Sequence, residues 1–168
     1  MKSICLIILL SGWFTANAQA VGVFAGRSLM PADFIAIQYF HPSNFPLQLA
    51  AQFFAETARH NTLRYVSFGT SISLVYSSGR ESFTNSSLSY RIGLGTTIQI
   101  EHEPWVLIAQ KGSTKSSIGF TGEAAGDWAI SSAFSLSLFV QQRWLLKKTL
   151  GNRQFIAGVG FIYHLNNE

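Results

Sequence analysis

The sequence has one cysteine, little charge and, beyond its first residues, no long apolar run. Each shortage excludes something. Cys5 lies in an N-terminal apolar stretch, so the rest of the chain has no disulfide framework, no thiol nucleophile and no cysteine-based zinc site. Metal binding or catalysis would have to use histidines and carboxylates. No later segment stays apolar for the roughly 18 residues that a membrane-crossing helix needs. Charged residues make up 12% of the chain, about half the share of an ordinary soluble domain. Something other than a charged surface must therefore face the surroundings. Without Lys2 there are 11 Lys+Arg against 8 Asp+Glu, a formal +3. That excess is small and scattered, so no direct nucleic-acid partner is expected.

At the start, Lys2 precedes the apolar run Ile4-Cys5-Leu6-Ile7-Ile8-Leu9-Leu10, and small and polar residues lead to Ala16-Asn17-Ala18-Gln19-Ala20. This reads as a secretory signal peptide over residues 1–20, cleaved after Ala18 or Ala20, both of which have Ala at −1 and −3. No small-residue cleavage site precedes Cys5, which argues against a lipid anchor on its sulfur. Residues 21–168 read as a single domain, with no linker or low-complexity segment dividing them.

What the exported part does have is alternation. From Ser87 to Ile100, Leu88, Tyr90, Ile92, Leu94, Thr96, Ile98 and Ile100 fall on one face, and Ser89, Arg91, Gly93, Gly95, Thr97 and Gln99 on the other. Val66 to Tyr76 repeats the pattern. So does Gln154 to Leu165, where Phe155, Ala157, Val159, Phe161, Tyr163 and Leu165 oppose Gly158, Gly160 and His164. A period of two over strands this long suits tilted membrane-crossing strands with lipid outside and a polar lumen.

Weaker strands are expected at Asp33–His41, Leu47–Thr57, Trp105–Lys111, Ser117–Gly126 and Ala133–Trp144, which brings the count to eight. Turn chemistry separates them, as at Pro42 to Pro46, Ser77 to Arg80, Glu101 to Pro104 and Gly151-Asn152. The fold class is all-β, an eight-stranded antiparallel up-and-down barrel of the outer-membrane type, with outer-membrane lipid as its surroundings. Apolar residues on both faces around Phe53 and Phe139 could plug a lumen this narrow. Tyr65, Tyr76, Trp105, Trp128, Trp144 and Tyr163 fall near strand ends, where amphipathic rings meet headgroups.

Chemical constellations are few. His41-Pro42-Ser43-Asn44 resembles the His-x-Ser-Asn motif of outer-membrane lipid A deacylases, which implies Ser43 as nucleophile, His41 as base and Glu56 as the group that orients it. In that family the motif belongs late in the chain, whereas here it sits on the first expected hairpin between two prolines, and a turn is the simpler reading. Glu101-His102-Glu103 alternates faces and precedes Pro104, as in a solvated turn rather than a metal site. Arg91 should point inward and pair with a lumen carboxylate such as Glu56 or Glu123. Lys147, Lys148 and Arg153 gather near the last hairpin as loop charges. Gly93, Gly95, Gly158 and Gly160 should relieve crowding inside the barrel. No cofactor, metal or catalytic residue is expected.

The signal peptide, Phe45-Pro46-Leu47, the Phe134–Leu146 strand and Gly151–Leu165 together resemble the conjugative-transposon TraO family of Bacteroidetes. The likeness is most specific where Phe139-Val140-Gln141-Gln142-Arg143-Trp144 leads to Phe155-Ile156-Ala157-Gly158-Val159-Gly160-Phe161. Val21 to Met30 departs from that family's first strand. The resemblance implies a non-enzymatic accessory protein of a conjugative DNA-transfer apparatus, whose partners are other proteins of that apparatus.

Overall fold

Every strand among the described residues pairs antiparallel with both of its neighbours. The computed structural model describes residues 20–29, 32–41, 47–60, 63–78, 88–102, 114–146 and 153–165. They form β1 (Ala20–Ser28), β2 (Ala32–Phe40), β3 (Leu47–His60), β4 (Leu63–Ser77), β5 (Leu88–His102), β6 (Thr114–Ala129), β7 (Phe134–Leu145) and β8 (Arg153–His164). Each pairs with the next, and β8 returns to β1 along nine register partners from Ala20↔His164 to Ser28↔Ile156. Closure leaves no free sheet edge, as a chain surrounded by hydrocarbon requires, because every backbone N–H and C=O must find its partner within the protein.

The register also sets the tilt. Partners followed once round from Ala20 run through Phe40, Ala50, Ser73, Gly95, Thr121 and Arg143 to Gln154. Gln154 lies two residues before Ile156, the partner of Ser28, so the circuit ends ten residues along β1 from its start. A stagger of that size, at ~3.3 Å per residue over eight strands ~4.8 Å apart, tilts the strands by roughly 40°.

The two-residue period then decides which side chains meet lipid and which meet one another. In β5, Tyr90, Ile92, Leu94, Ile98 and Ile100 are exposed, while Arg91, Gly93, Thr97 and Gln99 are buried. The outward apolar side chains continue over the other strands, for example Ile37, Phe68, Ile72, Ile118, Leu138 and Phe161. A belt this extensive is foreign to soluble monomers, whose apolar patches rarely exceed a few hundred Å². Aromatic rings border it. Tyr76 with Tyr90 (6.4 Å between centroids), Phe134 with Tyr163 (4.9 Å) and exposed Trp128 stand where β1 begins and β8 stops. Phe68, Phe120, Trp144 and Phe155 are exposed toward the other end. Tyr65 takes the lumen parity of β4 instead and is half-buried. Trp105 lies outside the described residues.

Inside, Phe24, Phe34, Phe54 and Phe139 belong to an apolar cluster that also includes Phe40, Val75, Ile156 and Ile162, with Phe24 and Phe139 edge to face at 5.3 Å. Phe34 lies 5.9 Å from Phe139 and 6.1 Å from Phe54. Glycines make room for these rings. A Cβ on Gly22 or Gly160 would stand 2.4 or 2.3 Å from the Phe24 ring, and one on Gly69 would stand 2.2 Å from Phe54. The expected lumen filling therefore holds, with Phe54 rather than its outward neighbour Phe53 as the plug on β3.

The strand inventory differs from expectation in one place. The barrel reaches eight by including Ala20–Ser28, and β5 pairs directly with β6, so no further strand stands between them. The expected strand at 105–111 lies outside the described residues. Ala20 itself pairs with Phe40 and His164, so cleavage after Ala18 would leave β1 whole.

Candidate functional site

The lumen holds most of the buried polar chemistry, in two layers separated by aromatic rings. The larger layer lies toward the end remote from Ala20 and His164 and centres on Glu56 of β3, which is 3% exposed. Its Oε1 accepts from Arg143 Nη1 at 2.7 Å, and its Oε2 accepts from Gln154 Nε2 at 3.1 Å and from Gln99 Nε2 and Ser67 Oγ at 3.3 Å. Arg143 Nη2 donates to Gln141 Oε1 at 2.9 Å; Gln141 Nε2 donates to Gln52 Oε1 at 3.0 Å, and Ser71 Oγ reaches that same oxygen at 3.2 Å. The guanidinium also lies against Phe54, with Cζ 3.6 Å from the ring centroid, and 5.1 Å from Phe34.

Both oxygens of the Glu56 carboxylate are thereby partnered, which offsets part of the cost of a buried ion pair, while Arg143 Nε and the Oε1 atoms of Gln99 and Gln154 stay buried without a hydrogen-bond partner. The donors to Glu56 come from β4, β5, β7 and β8, so the bonds cross the barrel rather than run along one hairpin. They occupy its cross-section.

In the second layer, Arg91 of β5 pairs with Asp127 of β6 and donates through Nη2 to Asp127 Oδ1 and Ser137 Oγ, each at 3.1 Å. Phe40 lies 4.8 Å and Phe24 5.9 Å from its Cζ. Arg91 does face inward and does pair with a lumen carboxylate, which is Asp127 and not Glu56 or Glu123. Register explains the choice: Ser89 of β5 is the partner of Asp127, and Arg91 is the next inward residue beyond it. Glu56 is held by Arg143, and Glu123 accepts from Gln38 Nε2 at 3.1 Å across the barrel.

The deacylase-like triad does not assemble around Glu56. His41 is exposed at the end of β2, and its backbone N–H donates to Leu49 O at 2.8 Å. Glu56 lies seven residues further along β3 than Leu49, roughly 23 Å at ~3.3 Å per residue, so it cannot orient the His41 ring. Ser43 lies outside the described residues.

A different serine and histidine do meet: Ser135 Oγ and His164 Nε2 are 3.0 Å apart at the rim of the lumen. The β7–β8 register brings them together, which no local motif could announce. Ser135 is 4% exposed, which puts its hydroxyl out of reach of a bulky ester.

The stretch around Glu101 also departs from the solvated turn read in the sequence. Glu101 and His102 still belong to β5, Glu101 is buried, and exposed His102 faces the other way, with Nδ1 3.3 Å from Thr114 Oγ1. Glu103 lies outside the described residues. No group of three or more His, Cys, Asp or Glu among the described residues is placed to hold a metal.

No protein-family model matches the chain, and neither does any curated protein sequence. Solved structures do match in fold. The N-terminal β-barrel domain of Pseudomonas aeruginosa OprF superposes with a TM-score of 0.67 at 14% identity, over 89% of this chain and 98% of that one. Neisserial surface protein A gives 0.65 at 14% identity over 87% and 94%. The outer membrane enzyme PagL gives 0.56 at 11% identity over 87% and 99%. The protein therefore has the fold of eight-stranded outer-membrane barrels.

Proposed function

We propose that this protein resides in the outer membrane as a sealed, non-enzymatic barrel that acts through its two ends rather than through its lumen. One observation carries the reading: the Glu56 network ties four other strands across the cross-section of a barrel whose outside is an apolar belt. A closed wall of lipid-facing side chains anchors the protein, and a lumen filled by hydrogen-bonded side chains leaves no path for solutes. Fractionation of the tagged chain, with heat-modifiable mobility in a detergent gel, tests the location. Planar-bilayer recording tests the seal, with a silent trace expected. Recovery in a soluble fraction without a heat shift would replace this reading with a periplasmic binding protein.

Within that reading, the resemblance of the β7–β8 hairpin to the TraO family favours service in a conjugative DNA-transfer apparatus. Deletion should lower conjugation frequency with no loss of envelope integrity. Unchanged transfer together with detergent sensitivity would assign the barrel to general envelope stability. The deacylase alternative predicts an altered lipid A mass profile in Ser43→Ala; the expected profile is unchanged.

A further inference from the structure

Beyond the Glu56 layer, toward the mouth remote from Ala20 and His164, one carboxylate of the described lumen stands without a partner. Glu101 is 2% exposed, and neither of its oxygens takes part in a hydrogen bond. The other lumen carboxylates are engaged: Asp127 with Arg91, Glu56 with Arg143, and Glu123 with the Gln38 amide. Lys115, the register partner of Glu101 on β6, is exposed and donates to neither oxygen. A carboxylate buried in this way is costly unless a proton or a cation joins it.

Two amide oxygens belong to the same stretch of lumen. Gln99 lies two residues before Glu101 on the same face of β5, and Gln154 reaches in from β8. Each Nε2 donates to Glu56 Oε2, which fixes the amide with its oxygen turned away from that carboxylate. Both Oε1 atoms are buried without a partner, in side chains 1% and 4% exposed. Ser67, the register partner of Glu101, donates to the same Glu56 oxygen, so Glu101 stands one step toward the mouth from the point where these side chains converge. Among the described residues of this region the unpartnered atoms are therefore mostly acceptors, against the N–H of Arg143 Nε.

We infer that the Glu101 carboxylate and the amide oxygens of Gln99 and Gln154 form a seat for one calcium ion, which links β5 to β8 across the mouth of the lumen. A proton would satisfy one carboxylate oxygen and leave both amides as they are, whereas a hard cation takes carboxylate and carbonyl oxygens together. Calcium suits ligands from separate strands, because its coordination is flexible and water completes it. Magnesium demands near-ideal octahedral geometry, and zinc prefers nitrogen and sulfur. With one carboxylate and two neutral oxygens, the seat differs from a cluster of His, Cys, Asp and Glu. Its affinity belongs with the weak calcium modules, at a Kd on the order of 10⁻⁴–10⁻³ M. The inference is independent of where the barrel resides.

The test uses the full chain refolded in an uncharged detergent, where no headgroup phosphate competes for the ion, and measures bound calcium by equilibrium dialysis. The wild type should bind one calcium ion per barrel, about tenfold more tightly than magnesium. Calcium should also raise the temperature at which heat-modifiable mobility is lost. Glu101→Gln should weaken calcium binding about tenfold or more, while its calcium-free transition stays at least as high as that of the wild type, since the buried charge is gone. Glu123→Gln, deeper in the lumen, should bind as the wild type does. Should Glu101→Gln not close, Glu101→Asp, which draws the carboxylate back, is read for weaker binding. Unchanged binding in either closed variant overturns the seat, as does a wild type that takes up no calcium. Equal affinity for magnesium overturns the choice of ion.

Discussion

The two charged layers of the lumen solve the same problem with different means. Around Glu56, an ion pair, two glutamine amides, a serine hydroxyl and an aromatic face meet in one place, and the strands they join are mostly not neighbours. Around Arg91 the hydrogen bonds stay within three consecutive strands, to Asp127 on the adjoining β6 and to Ser137 on β7, one strand further. The first layer therefore adds cross-links that span the barrel, whereas the second mainly reinforces the β5–β6 ladder and reaches only one strand beyond it. Depth separates them too: Arg143 is wholly buried, while Arg91 and Asp127, both buried, sit nearer the rim, where water can reach a charge left behind.

That contrast predicts a ranking, measured by urea unfolding in detergent micelles with tryptophan fluorescence and gel mobility as probes. Arg143→Met should cost the most, about 3–5 kcal/mol, because it leaves the Glu56 carboxylate buried without its counter-ion. Adding Glu56→Gln to it should recover much of the loss, since the uncompensated charge then disappears. Arg91→Met should cost less, about 2 kcal/mol, as Asp127 is left nearer solvent. If the two arginine variants proved equal, the distinction between cross-linking and reinforcing layers would collapse.

The divider between the layers can be strained separately. Gly160→Ala puts a methyl against Phe24 and should cost about 1–3 kcal/mol as overpacking, a loss that Phe24→Leu should partly relieve. Ser67→Ala removes one of several donors to Glu56 and should cost about 1 kcal/mol in the same assay. Smallest of all, Ser135→Ala at the rim should change stability by under about 1 kcal/mol, because water can replace the hydroxyl beside half-buried His164.

The residues that were legible in advance share one property. In β4 and β5 most inward positions are Ser, Thr, Gln or Gly, and in β8 Gln154, Gly158, Gly160 and His164 share the inward face with Ile156 and Ile162, while the outward ones are mostly apolar, so the period of two stands out in the bare sequence. β1 lacks that contrast. Its inward side is Ala20, Gly22, Phe24, Gly26 and Ser28, where small residues bed an aromatic ring instead of lining a polar surface, so alternation alone does not mark the strand. In β7, Gln141 and Arg143 point inward from among Leu, Phe, Val and Trp, and nothing local marks Arg143 as the counter-ion of a carboxylate 87 residues away. Arg91 shows the boundary within one side chain: its face followed from alternation, but its partner did not.

By itself, then, the sequence determined the class of fold, the facing of the well-patterned strands and the need for an apolar environment, because each follows from composition and from a two-residue period that any strand carries locally. Tertiary structure alone decided which segment closes the barrel, which carboxylate meets which arginine, and that the lumen is stapled across. Those outcomes depend on the stagger accumulated over all eight registers, a sum that no single strand contains.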